Sequence, residues 1–146
     1  MVGLALSPTV APIRPIMSQG VSRVALIGVV DDSRLARAFA AAALRKAGHE
    51  VVELEPLSLT ELLDRLRELR PQLLVLDHHM PACSGPSVVR ACFQDEALAA
   101  IKVVMLTAHH EDEMEQRMEK LGVHAVLHKP VEPQRLADTV AQVLGG

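Results

Sequence analysis

Two kinds of apolar pattern alternate along this chain: short unbroken aliphatic runs, and longer stretches with apolar residues three or four apart. The runs are VALIGVV (24–30), EVVEL (50–54), LLVL (73–76), IKVVMLT (101–107) and HAVLH (124–128). Their length and β-branched content predict strands. Between them the period becomes helical. Ser33 to Ala47 is alanine-rich and stops at Gly48, and SLTELLDRLREL (58–69) opens on a Ser58–Glu61 capping box. A third helix starts at Gly85-Pro86 and reaches about Gln94. EDEMEQRMEKLG (111–122) sets Met114, Met118 and Leu121 on one face, and a last helix after Pro130 carries Leu136, Val140, Val143 and Leu144.

This is five βα units in series. Near-continuous apolar strands are buried on both faces, which predicts a parallel sheet covered by helices. Right-handed crossovers make the doubly wound α/β order 2-1-3-4-5 the expected topology, with a ligand site beyond the carboxyl ends of the strands. Residues 1–20 are rich in Pro, Ser and Gly without periodicity and are expected to be a disordered leader, with Met17 as an alternative start. Residues 21–146 are then one domain, with no effector domain after them.

Composition narrows the class. At 146 residues and 49% apolar content, one core is expected; with two Phe and no Trp or Tyr, that core must be aliphatic. A net charge of -3 gives no footprint for DNA or an anionic membrane, and no run of 18 apolar residues exists to span a bilayer. The N-terminus lacks a basic leader, so a cytoplasmic protein is expected. Cys83 and Cys92 fit neither a zinc pattern nor a disulfide framework and read as reduced thiols.

The chemistry gathers at one edge. Asp31 and Asp32 follow strand 1, Asp77 follows strand 3, Thr107 ends strand 4 and Lys129 follows strand 5. Three carboxylates repel unless a cation joins them, and oxygen ligands favour Mg²⁺, with Mn²⁺ as the alternative. A metal, a lysine and a hydroxyl around a free carboxylate suit a phosphoryl group, with Asp77 as the nucleophile. Asp31-Asp32 alone also reads as helix capping. The pairs His78-His79 and His109-His110 invite a zinc hypothesis; the more economical reading sets His79 and His109 at the pocket mouth, gating water. On the first helix, Ala36, Ala40, Ala43, Leu44 and Ala47 form a core stripe. That leaves Leu35, Ala38 and Ala42 beside Arg34, Arg37 and Arg45 as a surface a partner helix could approach, with a plain solvated face as the alternative.

VVDDS (Asp31, Asp32), LVLDHHMP (Asp77), Gly85, MLTA (Thr107, Ala108) and HKP (Lys129, Pro130) together resemble the receiver domain of two-component response regulators, over residues 23–144. The resemblance implies a flavodoxin-like receiver fold and a stand-alone, chemotaxis-regulator-like protein. It implies that Asp77 accepts phosphate from a sensor histidine kinase or a histidine phosphotransfer protein. Asp32 and Asp77 would ligate Mg²⁺ directly, Asp31 through water and His79 through its backbone carbonyl. Thr107, Ala108 and Lys129 would bind the phosphoryl group, Lys129-Pro130 would be cis, and the face with Arg34, Leu35 and Ala38 would meet the kinase. Such a domain turns over no substrate beyond its own phosphoryl transfer and dephosphorylation. Output would pass to a downstream protein, or the domain would be a phosphate shuttle or sink; homodimerisation stays open, and an unphosphorylated scaffold or adaptor is the alternative. A phosphatase of similar topology would need a second acid two residues after Asp77, where this chain has His79.

Two positions depart from the resemblance. Val126 stands where such domains usually carry an aromatic, three residues before the lysine, and Val131 where Phe often follows the Lys-Pro pair. The expected consequence is a response confined to the loops after Asp77 and Thr107, with strand 5 quiet.

Overall fold

The structure, a computed structural model, describes residues 24–145; the leader expected at 1–20 lies outside them. Five strands and five helices alternate: β1 (Leu26–Val30), α1 (Arg34–Lys46), β2 (Glu50–Leu54), α2 (Leu59–Leu69), β3 (Leu73–Asp77), α3 (Gly85–Phe93), β4 (Lys102–Thr107), α4 (Asp112–Leu121), β5 (Ala125–His128) and α5 (Pro133–Gly145). All pairings are parallel, in the order β2-β1-β3-β4-β5, as the alternation predicts.

Alternation along the central strands feeds two cores. Ile27, Val29, Leu73 and Val75 face α1 and α5, meeting Ala40, Leu44, Leu136 and Val140. Val30, Leu74 and Leu76 face the other way, meeting Leu66, Val88, Val89, Met114 and Met118 of α2, α3 and α4. Each fully buried aliphatic side chain contributes about 1.5–3 kcal/mol. All five residues of β3 are buried, so the strand is held from both faces and Asp77 is carried rigidly to its tip.

The ends of the elements follow local chemistry. Ser33, not the acid pair before it, caps α1 by accepting the Ala36 N–H at 3.2 Å. That resolves the capping alternative for Asp31-Asp32, although Asp31 Oδ1 does accept the Ser33 N–H at 2.9 Å. Ser58 accepts the Glu61 N–H at 3.1 Å, the forward half of the predicted capping box. Gly122 closes α4 at φ 107°, where a side chain would be strained and would also meet the Phe93 ring.

Three sequence expectations need correction. β1 begins at Leu26, and Val24 is 64% exposed. Ala47 leaves the core stripe, because it is the C-cap of α1 and exposed, while Ala41 is fully buried. Arg37 and Arg45 do not ring a docking face. Arg37 bonds the Asp31 carbonyl at 2.8 Å, Arg45 bonds the Val51 carbonyl at 3.0 Å, and both approach Glu53. Among the described residues, no helix is long and apolar enough to cross a membrane.

Candidate functional site

Parallel strands ending in register deliver the predicted residues to one edge. Asp31 and Asp32 leave β1, Asp77 ends β3, Thr107 ends β4, and Lys129 follows β5. Ligand oxygens of Asp31, Asp32 and Asp77 lie within 4.8 Å of one another. Lys129 Nζ donates to Asp77 Oδ1 at 3.0 Å and to Asp31 Oδ2 at 3.3 Å. Asp31, Asp77 and Thr107 are buried while Asp32 is exposed, so the cluster opens to solvent on the Asp32 side.

The backbone supports this arrangement closely. His78 N–H donates to the Leu106 carbonyl at 2.9 Å, locking the residue after Asp77 to β4. Gly85 N–H donates to the His78 carbonyl at 2.9 Å, and a Cβ on Gly85 would sit 2.7 Å from the Asp77 carbonyl oxygen. Only glycine lets α3 start so near Asp77. Thr107 is bonded on both sides: its Oγ1 accepts the His109 N–H at 3.0 Å and its carbonyl accepts the Lys129 N–H at 2.7 Å. Ala108 follows it, exposed at the start of the loop after β4, and Lys129-Pro130 is cis as the resemblance implies.

Burial holds the Asp77 carboxyl above its ordinary pKa; the Lys129 bond opposes this, and Asp31 and Asp32 push it higher. For Lys129 burial pulls the pKa down, but the contacts with Asp77 and Asp31 outweigh it and leave the ammonium above its usual range. One ammonium thus bonds two of the three carboxylates and leaves Asp32 without it. The all-oxygen donor set and the residual negative charge fit a hard divalent cation, Mg²⁺ or Mn²⁺. Among the described residues this is the group of three or more potential ligands close enough to hold a metal, so the doubled histidines do not make the zinc site they invited.

The structure gives each histidine a distinct surrounding. His79 is exposed, and it is His78 whose ring meets His109 edge-on, centroids 5.6 Å apart. The loop direction after β3, invisible in sequence, turns His78 toward the β4–α4 loop. His110 instead stacks on His128, centroids 4.6 Å apart and planes 14° from parallel. Cys83 and Cys92 are both free and buried; burial raises both thiols, Cys92 to about 11, so neither is a nucleophile at neutral pH.

On α1, Arg34, Leu35 and Ala38 are exposed, Leu35 at 82% and Phe39 beside them at 54%. Leu35 and Phe39, with Ala36, Pro130, Val131 and Leu136, line a groove of roughly 610 Å³ that runs up to Asp31 and Lys129. Sequence reasoning missed two buttresses of the site: Arg37 beneath the acid loop, and the contribution of Phe39 to the α1 face. An arginine six residues after Asp31, at the fourth position of α1 and so at the end of its first turn, was the available signal for the first.

Comparison with known proteins agrees with this geometry. The family model for the response regulator receiver domain matches residues 27–141. The chain is 30% identical over 117 residues to the polar-differentiation response regulator DivK of Brucella ovis, covering 80% of this chain and 94% of that protein. It is 31% identical over 118 residues to the phosphate regulon transcriptional regulatory protein PhoB of Pseudomonas aeruginosa, covering 80% of this chain and 50% of that one. Among solved structures it resembles the Vibrio cholerae chemotaxis protein CheY4, with TM-score 0.75 and 27% identity, covering 83% of this chain and 99% of that one.

Proposed function

The chain belongs to the receiver-domain family of response regulators, and from that premise we propose that Asp77 accepts a phosphoryl group from a histidine kinase or a histidine phosphotransfer protein. The observation that carries this reading is a buried Asp77 carboxylate 3.0 Å from the Lys129 ammonium, inside a cluster of three acids. Asp32 and Asp77 would hold Mg²⁺ or Mn²⁺ directly, Asp31 through water and His79 through its carbonyl. Bound there, the ion would supply positive charge to the phosphoryl oxygens as they transfer.

The residues of the chain do the rest. An Asp77 carboxylate oxygen attacks the phosphorus of a phosphohistidine in line. The O–P bond forms as the N–P bond breaks, and the departing imidazole keeps the electron pair and takes up a proton. Lys129 moves from the two carboxylates to a phosphoryl oxygen, and the Thr107 hydroxyl and the Ala108 N–H donate to the others. Water returns the group as phosphate, and the edge-on His78–His109 pair, with His79 outside it, obstructs the approach of that water. The exposed Arg34, Leu35 and Ala38 face and its groove receive the phosphodonor.

In this reading residues 21–146 are the receiver, acting in the cytoplasm beside its kinase and signalling by protein contact or serving as a shuttle or sink. Val126 and Val131 favour the second reading, an adaptor that binds partners without phosphorylation. Intact mass after treatment with acetyl phosphate separates them. We expect one added phosphate with Mg²⁺ and none with chelator or in Asp77→Asn. No gain in the parent chain supports the adaptor, and an undiminished gain in Asp77→Asn contradicts the assignment.

A further inference from the structure

Val126 is half-buried among the apolar residues facing α2, α3 and α4, and a β-branched side chain is stiff at χ1. It offers no ring with two positions. Alternation along β5 sets residue 128 on the same face as residue 126, and there the chain does carry a ring. His128 stacks on His110, and its Nε2 lies 3.1 Å from Glu115 Oε1 of α4. The approach is close but misaligned, and Nε2 is buried without a hydrogen-bond partner. A small turn of either side chain would convert this contact into a charge-assisted hydrogen bond. That turn would give the contact a second arrangement, and an element with two arrangements is what coupling requires.

The other end of this element is tied to the site. Thr107 pairs in register with His128 across β4 and β5. Its hydroxyl oxygen accepts the N–H of His109, the residue before His110, and its carbonyl accepts the N–H of Lys129, the residue after His128. A reorientation of the Thr107 hydroxyl toward a phosphoryl group on Asp77 would strain or release its bond to His109 and so disturb His110, the next residue, against the face of His128. On the far side, α4 is anchored as a unit by the buried Met114 and Met118.

We propose that His128, stacked on His110 and poised against Glu115, is the positioning residue that carries the Thr107 response to α4, in the role that Val126 cannot fill. The inference rests on Asp77 accepting a phosphoryl group. It moves the response beyond the loops, to the carboxyl end of β5 and to α4.

The test is the amide NMR response of the full chain to beryllofluoride with Mg²⁺, a mimic of the phosphoryl group. In the parent chain, amides around Asp77 and Thr107 shift and those of 112–121 shift with them. In His128→Ala the shifts near Asp77 and Thr107 persist while those of 112–121 fall several-fold, and His128→Phe, which keeps the stacked ring, restores a large part. His110→Ala, at an exposed loop position, gives the same loss should His128→Ala prove poorly folded. An α4 response in both alanine variants equal to the parent's overturns the relay and leaves the phosphoacceptor reading intact. A parent chain with no shift at Asp77 removes that reading and the relay together.

Discussion

Gly85→Ala adds one methyl group between α3 and the backbone of Asp77 and His78. The new Cβ would lie 2.7 Å from the Asp77 carbonyl oxygen, 3.0 Å from His78 Cα and 3.2 Å from the His78 carbonyl oxygen. Ordinary contact begins near 3.4 Å, so the first approach is more than half an ångström short. All three neighbours are backbone, and no side chain can swing aside. Either the start of α3 retreats, drawing the fully buried Val88, Val89 and Cys92 with it, or the tip of β3 bends. Overpacking of this kind costs about 1–3 kcal/mol, and the lower unfolded-state entropy of alanine returns about 0.4–1. A net loss of about 1–2 kcal/mol lowers the melting temperature by roughly 3–8 °C. The catalytic effect should exceed the thermal one. Moving the Asp77 backbone shifts its carboxylate against Lys129, and misplacement of about 1 Å costs up to 10²-fold in rate. Thermal melts and acetyl phosphate labelling time courses, run beside two controls, measure both. Gly28→Ala meets first the flexible end of Leu74 at 2.9 Å, and Gly145→Ala meets nothing within 4 Å. The expected order of damage is Gly85, then Gly28, then Gly145, with slowed labelling confined to Gly85. A Gly85→Ala chain that melts and labels like the parent would refute the close approach.

Stability should fall with acid because of two histidines at the opposite edge of the sheet. Nδ1 of His49 accepts the Ala25 N–H at 3.1 Å and Nδ1 of His124 accepts the Val103 N–H at 3.0 Å, each tying an edge strand to its neighbour. Burial lowers the pKa of both, with Lys102 adding to the effect at His124. The unfolded chain therefore binds protons first, so this contribution is complete above about pH 6.5 and is lost as pH falls from there through the lower folded-state values. Melting temperatures from pH 7.5 to 5 should decline, and His49→Gln should flatten the decline; a parallel curve for the variant would reject the role. Lys129→Met leaves two buried carboxylates without their cation, at a cost of about 1–3 kcal/mol in chelator, and Mg²⁺ should recover more stability in it than in the parent. Calorimetric melts with and without Mg²⁺ check this, and an identical Mg²⁺ increment in both chains would contradict it. Leu74→Ala, at a fully buried position of β3, should cost about 2–5 kcal/mol by chemical denaturation while leaving phosphorylation of the folded fraction intact.

The fold was legible because its signals are strong and redundant. Five aliphatic runs, each followed by a helical period and capped by Ser33, Ser58, Gly48 or Gly122, admit little but a wound parallel sheet. The site was legible for a related reason, since residues at the ends of parallel strands share an edge however far apart they lie in sequence. What stayed hidden depended on direction. The alanines at 36, 38, 40, 41, 42 and 43 in α1 and at its C-cap, 47, give no contrast between faces, so periodicity could not tell buried Ala41 from exposed Ala47. An alanine reports neither burial nor exposure. In HHMP and AHHE, which imidazole turns inward depends on the path of the loop, and His78 rather than His79 meets His109. Arg37 read as a surface charge because its partner is a backbone carbonyl, which leaves no mark in the pattern of charged residues.

The central claim is that Asp77 is the phosphoacceptor, and the most direct measurement locates the phosphoryl group itself. The chain is phosphorylated with acetyl phosphate and Mg²⁺, reduced with borohydride, which converts an aspartyl phosphate to homoserine, and digested for tandem mass spectrometry. The account predicts homoserine at position 77 and at no other aspartate. Homoserine at position 31 or 32, or a phosphate retained on a serine, threonine or histidine with position 77 unaltered, would contradict it.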